Sequence, residues 1–375
     1  MILLSLALAA DIDVPSTEAL DLEAAIGLAG TLPGIDRILL APGVHVLSSE
    51  VEDVELRGLG GTDVTMVAIQ GSQVKTRGTT RFVDLTVDAT GAGTRALDQD
   101  AGSNLDLVRV HILGPSGGSG GGGVRVRGQA DLEAVVIDGS MVGGDGGGVL
   151  VEGSGSLVAA GLTVRASSAN HGGALSVSGT ADVRGVFFDG AVATNSGGAL
   201  YVDNGGVLLL DGGIVRGGSA PTLGGGAEIR GEAQISGVWF DDDHAGGKGG
   251  AIAIRAGGDL TFSGRITQCS SPGYGGGIAL SGTTPYIVLR DAWLEGNVSD
   301  SEWGGGLAFG GYYAGPHTIS RTVFCGNQAP GDGGAVDMDG NWVTMDHVLV
   351  VENDTDHEGG GFWTSGGGDW SNMGF

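Results

Sequence analysis

The sequence predicts an all-β protein: a single-stranded, right-handed parallel β-helix of about 13 coils with a short N-terminal capping helix. Three observations predict this fold. Short glycine clusters recur about every 26 residues, side chains alternate between apolar and polar after each cluster, and no repeat contains a segment with helical periodicity. Because a fixed period in this range marks one structural unit stacked many times, the sequence specifies architecture better than chemistry.

The ten glycine clusters define the repeat, and their first glycines stand at residues 121, 146, 172, 197, 224, 249, 275, 304, 333 and 359. Apolar side chains follow every second residue, as where Leu200 and Val202 flank Tyr201. This period of two is typical of a strand with one buried face. Glycine at a fixed place in every repeat predicts a sharp corner that needs a positive φ or leaves no room for a side chain.

The N-terminal region predicts the one helix of the chain, over residues 17–29, with Leu20, Ala24 and Leu28 on a shared face. Such a helix would cover the open end of the first coil, which otherwise exposes unpaired backbone groups and an apolar surface.

The chain divides into three expected segments. Residues 1–10 are an apolar run ending in small residues, which predicts a short signal peptide and hence export. Residues 11–35 are the expected cap with its helix. Residues 36–375 are the expected β-helix, incomplete or uncapped at its C-terminal end within this sequence.

Composition excludes several classes of partner. The formal charge is 18 − 44 = −26, which excludes a general nucleic-acid surface because phosphate binding needs clustered Lys and Arg. No apolar run is long enough for a transmembrane segment. Cys269 and Cys325 lie two coils apart in the repeat and are expected to be unpaired thiols. Composition does not specify the oligomeric state.

One repeat carries a family motif in full. Phe324-Cys325-Gly326-Asn327, followed by Gly333-Gly334-Ala335-Val336, matches the FxxN and GGA[LIV] halves of the repeat of polymorphic outer-membrane proteins. Looser copies occupy residues 294–297 and 350–353, and residues 240–243 carry Asp at the Asn position. The chain resembles that family of bacterial surface β-helix proteins, many of which are adhesins or autotransporter passengers. The resemblance implies an outer-membrane or extracellular location.

The start of the chain carries a second resemblance. Ala24-Ala25-Ile26, followed by the segment 37–45 (RILLAPGVH), is similar to the helix and "APG" strand that open many proteins of the pectate-lyase-like superfamily. This resemblance implies an N-terminal cap and no particular activity.

The sharpest polar cluster offers candidate catalytic groups. Asp242 and Asp243 lie in an acidic run, with Lys248 and Arg265 as candidate bases. Glycosidases need two carboxyl groups across a sugar bond, and the polysaccharide lyases of the resembled superfamily use carboxylate-held calcium with an Arg or Lys base. The alternative is a solvated turn. The Gly-His-Gly and Arg-Ile-Lys motifs of polygalacturonases are absent from the sequence.

Two further sets of residues are candidate binding sites. Stacking in register would bring Asp332 close to Glu358, with Asp356 nearby, where the like charges repel unless a cation such as Ca²⁺ intervenes. Without calcium, these carboxylates would simply point into water and the protein would need no cofactor. A platform for sugar rings is the other candidate, and its aromatic residues would be Tyr274, Trp303, Tyr312 and Tyr313. The alternative is a turn covered by its own aromatic side chains.

Two functional hypotheses follow from these residues. The first is an exported, non-enzymatic β-helix that serves as a stalk or adhesin-like surface module with carbohydrate or cell-surface partners. The second is a carbohydrate-active enzyme, a polysaccharide lyase or glycoside hydrolase. An enzyme should gather its acids and bases in one groove, whereas a stalk should scatter them over its turns.

Overall fold

A computed structural model describes residues 11–14, 19–31, 36–48, 50–60, 64–255, 257–313 and 315–364. Over these residues the chain forms a parallel β-solenoid of about 13 turns, which confirms the predicted fold class. All strand pairs within it are parallel, and each strand pairs with its equivalent about one repeat later, as Leu200 does with Ala227. The proposed signal peptide, residues 1–10, lies outside the described residues.

Strands of the described residues belong to three sheets. The thirteen-stranded sheet contains Val51–Glu52, Val74–Arg77, Leu97–Gln99, Val124–Val126, Val149–Val151, Leu175–Val177, Leu200–Val202, Ala227–Ile229, Ile252–Arg255, Ile278–Ser281, Leu307–Phe309, Val336–Asp337 and Phe362–Trp363. The eight-stranded sheet contains Ser168–His171, Val192–Ser196, Ser219–Ala220, His244–Ala245, Ser270–Ser271, Val298–Ser299, Gln328–Ala329 and Asp354–Thr355.

The twenty-two-stranded sheet supplies one or two strands to each coil. It contains Asp11–Val14, Asp36–Leu40, Gly43–Leu47, Val54–Gly58, Thr65–Ile69, Thr79–Val83, Thr86–Asp88, Asn104–Val108, His111–Leu113, Gln129–Glu133, Val136–Asp138, Ser156–Ala160, Thr163–Arg165, Thr180–Asp189, Val207–Arg216, Glu232–Asp241, Asp259–Thr267, Tyr286–Glu295, His317–Ser320, Val323–Cys325, Val343–Asp346 and Leu349–Val351.

The helix spans Ala19–Ala29 and packs against the first strands of the twenty-two-stranded sheet, as expected of a cap. Its buried face differs from the shared face noted in the sequence. Leu22, Ala25 and Ala29 are buried, whereas Leu28 is 52% exposed. The helix is therefore rotated so that positions 22, 25 and 29 meet the first coil.

The glycine clusters form the predicted corner. The first glycine of all ten clusters is left-handed, with φ between 59° and 73°. A Cβ on Gly198 would lie 1.9 Å from the carbonyl oxygen of Gly225 in the next coil, so the second glycine is needed for the close approach of successive backbones. Leu97 pairs with Val124 of the first glycine cluster, so residues 94–97, which contain no glycine, occupy the same corner one coil earlier.

The core is one continuous file of apolar side chains inside the coils. Leu175, Leu200, Ile252 and Ile278, which follow four of the glycine clusters, are all fully buried. The largest side chains that fill the interior are Phe82, Phe188, Phe240, Phe262, Phe309 and Phe324. Each coil therefore buries its apolar face against its neighbours, as solenoid repeats must.

The FxxN asparagines form a ladder along one corner inside the solenoid, with one asparagine in each of three successive coils. Asn327 accepts hydrogen bonds from the backbone N–H and the Nδ2 of Asn297, at 3.1 and 2.9 Å. It donates through its own Nδ2 to Leu294 O and to Asn353 Oδ1, at 3.0 and 2.8 Å. Cys269 occupies the same place one coil before Asn297, and both cysteines are unpaired, as predicted.

A second ladder, of charged side chains, runs along the C-terminal ends of successive strands of the twenty-two-stranded sheet. Arg165 binds Asp138 in the preceding coil through two contacts of 2.7 and 2.8 Å, and Arg216 binds Asp189 through contacts of 2.8 and 3.1 Å. Exposed pairs of this kind each contribute little stability. Their effect is to neutralise acidic side chains that stacking in register would otherwise place next to like charges.

Candidate functional site

The outer side of the thirteen-stranded sheet is lined by side chains that are shielded from solvent. Asp98, Tyr201 and Glu228 each point outward from the middle of a strand, yet at most 5% of each residue is exposed. His171 and Ser196, which precede two of the glycine clusters, lie beside Tyr201 and Glu228, whereas arginine side chains surround Asp98. We call this surface the front face; it consists of the outward residues of that sheet and the residue before each glycine cluster.

A polar cluster occupies the middle of the front face. The rings of His171 and Tyr201 stack with their centroids 4.6 Å apart, and the Arg230 guanidinium lies 5.5 Å from the Tyr201 centroid. The Tyr201 hydroxyl donates to Asp203 at 3.1 Å, and burial raises the pKa of Tyr201. The cluster therefore joins three successive coils through a stack of a histidine, a tyrosine and an arginine.

Two carboxylates complete this cluster. Glu228 is fully buried, accepts a hydrogen bond from the Ser196 hydroxyl and lies 2.8 Å from Arg230 Nε. Asp145 Oδ1 lies 2.8 Å from His171 Nδ1. Partial burial acts to raise the pKa of Asp145. The hydrogen bond with His171 outweighs this effect, so the pKa lies below its ordinary value. Each carboxylate is thus held by its own partner, and the cluster is a closed network.

The four candidate catalytic residues occupy separate environments. Asp242 stands on an exposed turn with φ of 55°. Asp243 is buried inside the solenoid in the same column as the asparagine ladder. Lys248 lies on the front face, with its Nζ 4.1 Å from the Tyr274 ring centroid. Arg265 is exposed on the twenty-two-stranded sheet, over the ring of Trp293. The fold brings neither base into contact with either acid among the described residues.

Asp243 occupies the position that asparagine has in the ladder, but its carboxyl group lacks the amide N–H donors of asparagine. Its Oδ1 accepts the Gly218 N–H at 2.6 Å, as the ladder asparagines do, but its buried Oδ2 has no partner in the described residues. Burial raises the pKa of Asp243 well above its ordinary value. Because the unfolded chain releases this proton at a lower pH than the folded chain, stability falls as the pH rises from about 4 towards the raised pKa.

We expect Asp243→Asn to stabilise the protein by about 1–3 kcal/mol at pH 7, because an amide there would donate a hydrogen bond where Oδ2 now has none. The gain should shrink towards pH 4, where the unfolded chain is itself about half protonated and keeping the folded carboxyl neutral costs little free energy. Urea unfolding at pH 4 and pH 7 measures both effects. Asp242→Asn is the matched control on the exposed turn, since asparagine also tolerates a left-handed φ. Equal shifts for the two variants would contradict this explanation.

Of the candidate calcium residues, Asp332 lies against residues 357 and 358 of the next coil. Asp332 Oδ1 lies 2.6 Å from His357 Nδ1 and accepts the Glu358 N–H at 3.2 Å. The side chain of Asp356 is exposed, and no group of three metal-ligating side chains occurs among the described residues. The hydrogen bond with Asp332 raises the pKa of His357 above its ordinary value.

The aromatic candidates divide into two pairs. Tyr274 and Trp303 stack with centroids 5.8 Å apart and planes 7° apart. Tyr274 is buried because it lies flat against Ala279 and Ala308, so it covers the front face. Trp303 is 38% exposed on top of it. A platform at this stack would therefore consist of the outer surface of Trp303 alone.

Tyr312 and Tyr313 lie on the C-terminal side of that stack. Tyr312 is 73% exposed and packs over Gly340. Tyr313 donates through its hydroxyl to Leu280 O at 3.1 Å, and burial raises its pKa. The four aromatic candidates therefore lie on one side of the molecule, with Trp303 and Tyr312 as its exposed members.

Asp337 is a front-face acid that sequence reasoning did not select. It is 2% exposed, and burial raises its pKa to about 7. The nearby carboxylates of Asp339 and Asp332 add to this shift, and the Asp339 N–H, which donates to Asp337 at 3.0 Å, opposes it. Its neighbours across the sheet are Ala308 and Trp363. A carboxyl group that titrates near neutral pH is suited to general acid catalysis.

Sequence reasoning also missed an exposed column on the twenty-two-stranded sheet. Seven residues stand in register there, one per coil, and we call them the tryptophan column: Phe187, Ile214, Trp239, Arg265, Trp293, Val323 and Leu349. Every member is at least partly exposed. Aligning the outward position of the second strand in successive repeats would have revealed it.

No family model, curated protein or solved structure matches the chain. Among the described residues, no helix has both the length and the apolar character that crossing a bilayer requires.

Proposed function

We propose that the protein is an exported, non-enzymatic β-solenoid that serves as a rigid stalk or adhesin-like module at the cell surface, with carbohydrate or cell-surface partners. The observation that carries this proposal is the dispersal of Asp242, Asp243, Lys248 and Arg265 over four environments. Acid–base catalysis needs its groups within hydrogen-bond reach of one substrate. The features that do repeat along the molecule are the core and the two ladders.

Mechanical continuity supports the proposal. The apolar core passes unbroken from Leu22 in the helix to Met345 near the other end. About 13 turns, each adding ~4.8 Å, make a rod about 60 Å long. Because each coil is hydrogen-bonded and packed against both neighbours, the rod resists bending and suits a spacer that presents a surface away from its anchor.

The asparagine ladder supports the finer resemblance to polymorphic outer-membrane proteins and the pectate-lyase-like superfamily. Asn297, Asn327 and Asn353 are the asparagines of the FxxN copies, and all three donate to carbonyls of the preceding coil. The apolar residues 1–10 and the net charge of −26 support export to the bacterial outer membrane or beyond.

The first test is a search for turnover. We expect the purified chain to release no reducing ends and no unsaturated uronides from a panel of neutral and acidic polysaccharides, while it binds a carbohydrate on a glycan array or intact cells. Turnover that either Asp242→Ala or Asp337→Asn abolishes, or a failure to bind any glycan or cell, would overturn the proposal.

The carbohydrate-active enzyme remains a second candidate because of Asp337. Its raised pKa and its buried place on the front face are suited to a general acid. The same panel separates the two candidates, since an enzyme of this kind would lose turnover near neutral pH in Asp337→Asn and keep it in Asp242→Ala.

A further inference from the structure

The tryptophan column forms a narrow apolar track on the outside of the solenoid. Trp239 and Leu349 are 36% and 55% exposed, and the other members are also partly accessible. Successive coils repeat every ~4.8 Å, so the column follows the solenoid axis for about 30 Å. A line of exposed apolar side chains of this length, with Arg265 as its one charged member, is a candidate binding surface.

Both indole rings are fixed in orientation. Trp239 Nε1 donates to Thr267 Oγ1 at 2.6 Å, and Thr267 in turn donates to Asp241 at 2.5 Å. Trp293 Nε1 donates to Glu295 Oε2 at 2.8 Å. The indole N–H of each ring is hydrogen-bonded to a neighbour on the same surface, so the ring is already oriented before a ligand binds. The apolar part of the ring can then contact a ligand with little loss of side-chain entropy on binding.

Arg265 stands between the two tryptophans in the column. Most arginines of the described residues form an ion pair with a carboxylate, whereas Arg265 forms none there and contacts the Trp293 ring at 5.7 Å. Its guanidinium therefore keeps donors for a ligand beside two apolar ring surfaces. The neighbouring Asp241 and Glu295 carboxylates supply acceptors.

This combination fits the chemistry of a pyranose polymer, which has apolar ring faces and hydroxyl groups along its edges. The coil spacing is close to the length of one sugar residue in an extended glycan, so Trp239 and Trp293, two coils apart, would contact rings i and i+2. In a β-1,4-linked chain these two rings present the same face. Arg265 would then hydrogen-bond the hydroxyls of ring i+1.

Other occupants fit less well. A protein partner would need roughly 800 Å² of interface on each side, and beyond this single column it would have to cover the charged ladder. A polyanion would meet Asp241, Glu295 and a chain of charge −26. Resting on the proposed role in carbohydrate binding, we propose that the tryptophan column binds an extended, neutral β-1,4-linked polysaccharide along the solenoid axis.

Titration calorimetry of the full chain with cellohexaose, mannohexaose, xylohexaose and chitohexaose tests this proposal. We expect one or more of them to bind, and Trp239→Ala and Trp293→Ala each to weaken binding about tenfold or more. Trp239→Phe should retain most of the affinity because it keeps an aromatic face. Trp342→Ala is the matched control, since Trp342 is 75% exposed and stands outside the column. Thermal unfolding verifies that each variant is folded.

The outcomes separate this inference from the proposed function. If the wild-type chain binds these or other glycans and both alanine variants bind equally well, the column is not the site, although the adhesin-like role stands. Binding of polygalacturonate in preference to the neutral hexasaccharides, or a dimer that dissociates in Trp239→Ala, would also overturn the inference. If the wild-type chain binds neither the hexasaccharides nor any other glycan or cell, the inference and the proposed function fail together.

Discussion

Asp98→Ala should destabilise the protein by about 3–5 kcal/mol, because it removes the central anion of a buried ion-pair network. Asp98 is 1% exposed and binds Arg125 through two contacts of 2.6 and 2.8 Å. Arg95 and Arg127 contact the same carboxylate at 3.2 and 3.4 Å, and Gln73 donates to it at 2.6 Å. Without Asp98, three guanidinium groups on adjacent coils would repel one another.

The burial of Arg95 makes this loss severe. Only 4% of its side chain is exposed, and burial lowers its pKa, which shows that its charge is poorly solvated in the folded chain. Its other contact is the Ser119 hydroxyl at 2.8 Å, which offers no compensating charge. An uncompensated buried cation costs more than the ion pair itself contributes.

Urea unfolding followed by circular dichroism measures the effect of Asp98→Ala. The matched control is Asp189→Ala, which removes a bidentate pair with Arg216, at 2.8 and 3.1 Å, from the exposed charged ladder. The control should leave the unfolding midpoint nearly unchanged because water solvates both partners. If both variants unfold at the same urea concentration, burial does not determine how much the Asp98 network contributes to the free energy of unfolding.

The fold could be predicted from the sequence because its determinants are local and repeated. A left-handed glycine at one place in ten successive repeats and an apolar residue three positions after it each leave a periodic signal, as at Gly197 and Leu200. The exposed side of the capping helix was harder to predict. Leu22 and Leu28 are equally apolar, and only the tertiary position of the first coil decides that Leu22 is buried.

The candidate site was less predictable, since side chains that are adjacent in sequence point alternately to the outside and to the inside of the solenoid. Asp242 and Asp243 read as one acidic cluster, yet the first is in water and the second is inside the solenoid. Conversely, the groups that meet in space are one coil apart, as His171 and Tyr201 are. Candidate sites in a solenoid must therefore be sought among residues at equivalent positions of successive repeats.

The asparagine ladder joins buried groups of successive coils, so we expect it to contribute more to stability than exposed asparagines do. Asn327→Ala should destabilise the protein by about 3–5 kcal/mol, because it leaves the buried Asn297 N–H without its acceptor, removes the hydrogen bond to the Leu294 carbonyl and creates a cavity. Each unsatisfied buried group costs about 1–3 kcal/mol. The ladder also joins the coils of Asn297 and Asn353, so the loss acts on two coil interfaces at once.

Native-state hydrogen exchange and urea unfolding together measure this effect. In Asn327→Ala, protection should fall most in the strands Val298–Ser299 and Gln328–Ala329, which follow the ladder residues of adjacent coils, because solenoid stability is the sum of nearest-neighbour interfaces. Asn195→Ala is the matched control, since Asn195 is exposed in the eight-stranded sheet and its side chain accepts a hydrogen bond from the Thr222 hydroxyl. An Asn327→Ala variant as stable and as protected as this control would show that packing alone aligns the coils. A loss confined to Asn327→Ala would show that the asparagine of the FxxN repeat is retained for the hydrogen bonds that join one coil to the next.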